Sequence, residues 1–174
     1  MRGAVTIIGL ATALMTIAGC SDDPPATKKT PPPSAPSPTA STSPSQAEAL
    51  ATYRNLWTAA TKAAATANAE DPELRKYAHD DALAYFVGSN LENKEKGVVV
   101  KGEPGISPRV VGETGDRVTL ADCVDGSHWL KYRASDGKLA DDVPGGHHQA
   151  EATVTRTTSG WRVTSLTIEG VGTC

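Results

Sequence analysis

From Gln46 to Cys174 the chain predicts an α+β fold in which two helical segments precede a set of antiparallel strands. Apolar residues recur at steps of three and four before Gly97. Beyond it the chain becomes rich in Val, Thr and Gly, with turn signals at Glu103-Pro104-Gly105, Thr114-Gly115-Asp116, Asp125-Gly126, Asp136-Gly137 and Ser159-Gly160. The 174 residues carry 17 Lys and Arg against 20 Asp and Glu, a formal net charge of -3 without a basic run, which argues against a nucleic-acid surface.

The first helix is expected over Gln46 to Glu70, where Leu50, Tyr53, Trp57, Ala60, Ala64 and Ala67 form one apolar stripe among Ala-rich helix formers. Asp71-Pro72-Glu73 supplies an N-cap, a first-turn proline and an acidic first turn. These start a second helix or broken helix pair with Leu74, Tyr77, Leu83, Phe86, Val87 and Leu91 as its apolar set, and Gly97 ends it. Strands follow at Gly97 to Lys101, Pro108 to Glu113, Arg117 to Cys123, Ser127 to Ala134, Gln149 to Thr157 and Trp161 to Glu169. In the fifth, Ala150, Ala152 and Val154 alternate with Glu151, Thr153 and Thr155, so one face is buried. In the last, Trp161 and Val163 share one parity and Leu166 and Ile168 the other, which a bulge or bend near Thr164-Ser165 would reconcile.

Residues 1–19 read as an export signal: a positive head, an apolar run from Ala4 to Ala18, and small residues at the end. The run is shorter than the roughly 20 residues a membrane-spanning helix needs. The ending Ile17-Ala18-Gly19-Cys20 resembles the lipobox of bacterial lipoproteins, and that resemblance implies a diacylglyceryl group on the Cys20 thiol and cleavage just before it. Residues 21–45 are dominated by Pro, Ser and Thr, with no aromatic or large aliphatic residue to build a core. At about 3.1 Å per residue in polyproline II, such a tether reaches up to roughly 80 Å. The expected organisation is a signal peptide at 1–19, a lipidated Cys20 with its tether at 20–45, and an α+β domain at 46–174. The protein would stand on the extracytoplasmic face of a bacterial membrane, attached by the Cys20 lipid. With Cys20 given to lipid, Cys123 and Cys174 remain as an even pair, expected to form a disulfide in an exported chain.

The segment Leu120-Ala121-Asp122-Cys123-Val124-Asp125-Gly126-Ser127-His128-Trp129, with the ending Gly160-Trp161-Arg162-Val163 to Thr173-Cys174, resembles small secreted proteins and lipoproteins of actinobacteria that carry a nuclear-transport-factor-2-like domain. The resemblance spans Gln46 to Cys174. It implies N-terminal helices packed in one curved antiparallel sheet, a cone with a pocket at its open end. That superfamily holds ketosteroid-isomerase-like enzymes, ligand binders and structural modules, so the resemblance leaves activity open.

Asp122 shares strand parity with Val118 and Leu120 and is expected to point inward near a strand end. It serves either as a general base with a raised pKa or as an acceptor of hydrogen bonds from backbone or tyrosine. Tyr53, Trp57 and Trp129 are core aromatics or the walls of a pocket for an apolar ligand. His147 and His148 follow Asp141, Asp142 and Gly145-Gly146, residue types that ligate metals, but adjacent strand residues point to opposite faces, which favours a loop without a ligand role. Ser127 and His128 face apart for the same reason and make a poor nucleophile and base. No phosphate loop, dinucleotide fingerprint, HExxH or GxSxG occurs in 46–174, and no cofactor is expected. Two functions are consistent with these residues. One is a non-catalytic binding or interaction module for a small apolar ligand or a surface protein, preferred because no catalytic constellation stands out. The other is an isomerase- or hydrolase-like enzyme acting on a small apolar substrate in the cone.

Overall fold

The computed structural model describes residues 42–141, 143 and 145–174; Cys20, the export signal, the tether up to residue 41, and Asp142 lie outside the described residues. Helix α1 (Pro44–Ala64) starts ahead of Gln46 because Ser43 and Gln46 form a capping box with Pro44 in the first turn. The Ser43 hydroxyl accepts from the Gln46 N–H at 3.2 Å, and the Gln46 side chain accepts from the Ser43 N–H at 3.2 Å. The helix stops short of Glu70. Ala67 takes a left-handed φ of 49°, and the Asn68 N–H turns back to the Ala63 carbonyl at 2.9 Å. The Ala-rich stretch from Ala59 to Ala69 holds no Gly or Pro to mark that stop, so sequence alone overextends it.

Helix α2 (Pro72–Tyr77) is capped by Asp71, whose carboxylate accepts from the Glu73 N–H at 2.9 Å. Ala78 is extended and His79 donates its N–H to the Val163 carbonyl at 2.9 Å, which separates α2 from α3 (Asp80–Glu95). That break resets the helical phase. The buried face of α3 is Ala82, Phe86, Asn90 and Asn93, while Leu91 of the expected apolar set is 48% exposed.

Six strands follow: β1 (Val98–Lys101), β2 (Arg109–Thr114), β3 (Arg117–Asp125), β4 (Leu130–Arg133), β5 (His147–Thr157) and β6 (Gly160–Ile168). The α+β class stands, but the single curved sheet of a cone does not. The strands divide into a two-stranded antiparallel sheet, β1-β4, and a four-stranded antiparallel sheet, β2-β3-β5-β6. The cause lies after β3, where the Ser127 N–H bonds the Asp125 carboxylate at 2.9 Å and the Trp129 N–H bonds the Gly126 carbonyl at 3.0 Å. This turn carries β4 away from β3 and onto β1. Gly102 makes room for it: at φ +89°, any Cβ there would collide with the His128 carbonyl oxygen.

The expected bulge is present. Thr153 lies opposite Ser165 but Val154 lies opposite Val163, so Thr164 is the extra residue and Trp161, Val163 and Leu166 all turn to the core. The helices cover one face of the four-stranded sheet, where Val118, Leu120, Ala152, Val154 and Val163 meet Tyr53, Leu56, Trp57 and Phe86. Cys123 and Cys174 form the expected disulfide, bridging a sequence separation of 51 with Cα atoms 5.9 Å apart.

Candidate functional site

Strand alternation places Asp122 on the inner face of β3, and it is only 7% exposed. One carboxylate oxygen accepts from the Tyr53 hydroxyl at 3.0 Å, the other from the Ser107 N–H at 2.7 Å. Burial, and then the negative charge of Asp122, push the Tyr53 phenol well above its ordinary value of 10.0, so it stays protonated and donates. Of the two roles the sequence allows Asp122, the geometry is that of an acceptor. Both oxygens are engaged by donors of the chain itself.

Tyr53 and Trp57 are core residues, edge-on to one another at 6.2 Å, and Trp57 meets Phe86 at 5.6 Å and Trp129 at 5.8 Å in the same T-shaped manner. Trp129 also reaches a surface cleft, of about 380 Å³, lined with Tyr85, Asn93, Val100, Lys131 and His148. Its indole N–H is buried without an acceptor among the described residues. A second cleft, of about 260 Å³, runs along α1 past Arg54, Trp57 and Lys62 to Glu103 and Ile106.

His147 and His148 diverge as strand geometry requires. The His148 ring meets the Glu169 carbonyl oxygen at 2.8 Å, whereas the His147 ring lies on the outer face of the four-stranded sheet. Among the described residues, no group of three His, Cys, Asp or Glu gathers as a metal site. Ser127 and His128, expected to face apart, instead touch, Oγ to Nδ1 at 3.0 Å, because they sit in a turn and not in a strand. Asp125 accepts from the Ser127 N–H at 2.9 Å.

The outer face of the sheet holds an arrangement that sequence reasoning missed. The Cys123 Sγ lies 3.6 Å from His147 Nδ1, and His147 Nε2 lies 4.0 Å from Asp125 Oδ1. Cys123 and Asp125 share parity on β3, and the β3–β5 register sets Asp125 opposite His147. Parity was legible, but the register was not, because β4 and a long connection separate the two strands in sequence. Beside this group a cleft of about 230 Å³ is lined by Ser107, Arg109, Asp122, Gln149 and both cysteines.

No family model matches the chain, and no curated protein matches it. Among solved structures it is similar to the intermembrane space region of the chloroplast protein ARC6, with a TM-score of 0.53 and 14% identity, covering 69% of this chain and 92% of that one. It also aligns with a protein of unknown function with a cystatin-like fold from Nostoc punctiforme PCC 73102, at TM-score 0.46 and 12% identity over 74% of this chain and 92% of the other. A nuclear-transport-factor-2-like protein with a cystatin-like fold from Novosphingobium aromaticivorans aligns at TM-score 0.44 and 15% identity, over 74% of this chain and 85% of the other. The first likeness shows a shared α+β fold and nothing of ligand or activity.

Proposed function

We propose that this chain is an exported lipoprotein of actinobacterial type, anchored through Cys20 on the extracytoplasmic face of the membrane, whose α+β domain binds and does not catalyse. One observation carries the non-catalytic reading. The carboxylate best placed to act as a base, Asp122, already accepts from the Tyr53 hydroxyl and the Ser107 N–H. Both donors stabilise the carboxylate form, and both oxygens face the chain's own groups, which disfavours taking a proton from a substrate. The binding surface is the cleft lined by Tyr85, Val100 and Trp129. A small, largely apolar molecule fits that lining. Export and lipidation rest on the lipobox-like Ile17-Ala18-Gly19-Cys20 and the Pro-rich segment behind it.

A ligand-observed screen with steroid-like and lipid-like compounds, followed by turnover assays on the compounds that bind, tests this reading. Binding that perturbs the Trp129 indole signal, with no turnover by the wild type and a lowered melting temperature in Asp122→Asn, is expected. Turnover that Asp122→Asn abolishes at an unchanged melting temperature would overturn it. For the anchor, Cys20→Ala should release the protein from the membrane fraction; unchanged processing and retention would refute lipidation at that residue.

A further inference from the structure

We propose that the Cys123–Cys174 disulfide is a thiol–disulfide exchange site for a small thiol, with His147 stabilising the sulfur that leaves. Disulfides that act only as clamps have no need of a cation beside them. Here the His147 imidazole stands 3.6 Å from the Cys123 Sγ on the open face of the sheet, and Arg109 lines the same cleft as both cysteines. Positive neighbours of this kind favour the thiolate over the thiol, and a sulfur that leaves as a stabilised thiolate leaves faster. Asp125 lies 4.0 Å from the far nitrogen of the ring. Hydrogen bonds from Ser127, first from its side chain and then from its backbone, hold the Asp125 carboxyl below the usual carboxylate range, with smaller contributions from His147 and His128. Asp125 is therefore a carboxylate near neutral pH.

Cys174 is exposed and Cys123 half-buried, which sets the direction of attack. An incoming thiolate RS⁻ attacks the Cys174 Sγ and forms the R–S–S–Cys174 bond. The bond between the two protein sulfurs breaks, and its electron pair leaves on the Cys123 Sγ beside His147. A second RS⁻ then attacks the R sulfur of the mixed disulfide and releases Cys174 as a thiolate that takes up a proton. Two RSH are oxidised to RSSR and the protein disulfide is reduced to two thiols; the reverse sequence reduces RSSR to two RSH and re-forms the protein disulfide. The cleft of about 230 Å³ admits a small molecule, and its lining holds one cation, Arg109, and one carboxylate, Asp122.

The surrounding backbone keeps the pair ready to close again. The Glu169 N–H bonds the Gln149 carbonyl at 2.9 Å, the Gln149 N–H bonds the Thr173 hydroxyl at 2.8 Å, and the Gly172 N–H bonds the His147 carbonyl at 2.8 Å. None of these involves sulfur, so opening the disulfide leaves the segment from Glu169 to Cys174 docked on β5.

The test treats the folded full chain with reduced glutathione near about pH 6.5, quenches with acid, and maps the products by mass. The first product should carry glutathione on Cys174 with Cys123 free. His147→Gln should slow the first step about 3- to 10-fold near about pH 6.5, and by less near about pH 9. In reduced wild-type protein, iodoacetamide at the lower pH should alkylate Cys123 ahead of Cys174, a readout that needs no variant. Glutathione found on Cys123, equal rates for wild type and His147→Gln at both pH values, or exchange only after denaturation would each overturn the proposal.

Discussion

On the inner face of β3, Asp122 lies among Val118, Leu120 and Val124 with both carboxylate oxygens bonded by the chain's own donors. On the outer face, one residue further along, the disulfide-bonded Cys123 shares open surface with Asp125 and His147, at 3.6 Å from the imidazole, which in turn lies 4.0 Å from Asp125. Burial accounts for the difference. An unpaired carboxylate inside would carry its full desolvation cost, so a folded chain keeps Asp122 only if Tyr53 and Ser107 complete it. Outside, water completes whatever the protein does not, and polar groups can remain available for chemistry. The inner face thus holds groups whose loss is felt as stability, and the outer face groups whose loss is felt as reactivity.

The largest expected effect comes from breaking the inner face. Trp57→Ala removes the ring that meets Tyr53, Phe86 and Trp129 and should cost about 3–5 kcal/mol in denaturant unfolding. A cost under about 1 kcal/mol would mean that this cluster is loosely packed and that the contrast between the faces is false. Asp122→Ala should cost about 2–3 kcal/mol, since it leaves the Tyr53 hydroxyl and the Ser107 N–H without an acceptor.

Tyr53→Phe sharpens the same point through pH. Because burial and Asp122 raise the Tyr53 pKa in the folded protein, its contribution is fully present below the ordinary value of 10.0 and is lost as the pH rises above it, where the unfolded chain ionises and the folded one does not. Tyr53→Phe should cost about 1 kcal/mol at neutral pH and should unfold less steeply on the alkaline side than the wild type. Equal alkaline slopes would show that the phenol is not held in its donor state by the fold.

How much of this was legible in the sequence follows the same division. Alternation along β3 and β5 gave the inward set, including Asp122, because the period of two is local and needs no partner strand. Opposed parities in Trp161, Val163, Leu166 and Ile168 gave the bulge, realised at Thr164. The cone was not realised, because the Asp125-to-Trp129 turn sends β4 to β1, and a turn's exit direction is not written in periodicity. Leu91 was misplaced because the Ala78 break shifted the phase of α3. The meeting of Cys123 with His147 needed the β3–β5 register, a long-range fact that local pattern does not hold.

The smallest expected effect is on the outer face, where it separates stability from reactivity. Asp125 is exposed to solvent, and its lowered carboxyl pKa makes a contribution that is present above the ordinary value of 3.8 and lost as the pH falls below it. Asp125→Asn should therefore leave the melting temperature at neutral pH nearly unchanged and slightly flatten its decline in acid. His147→Gln should likewise stay within about 0.5 kcal/mol of the wild type at neutral pH, as substitutions at exposed sites do. If either variant instead lowered the melting temperature as far as Asp122→Ala does, the outer group would be part of the structure's own support. The distinction between an inner face that is complete and an outer face that is available would then fail at the residues that define it.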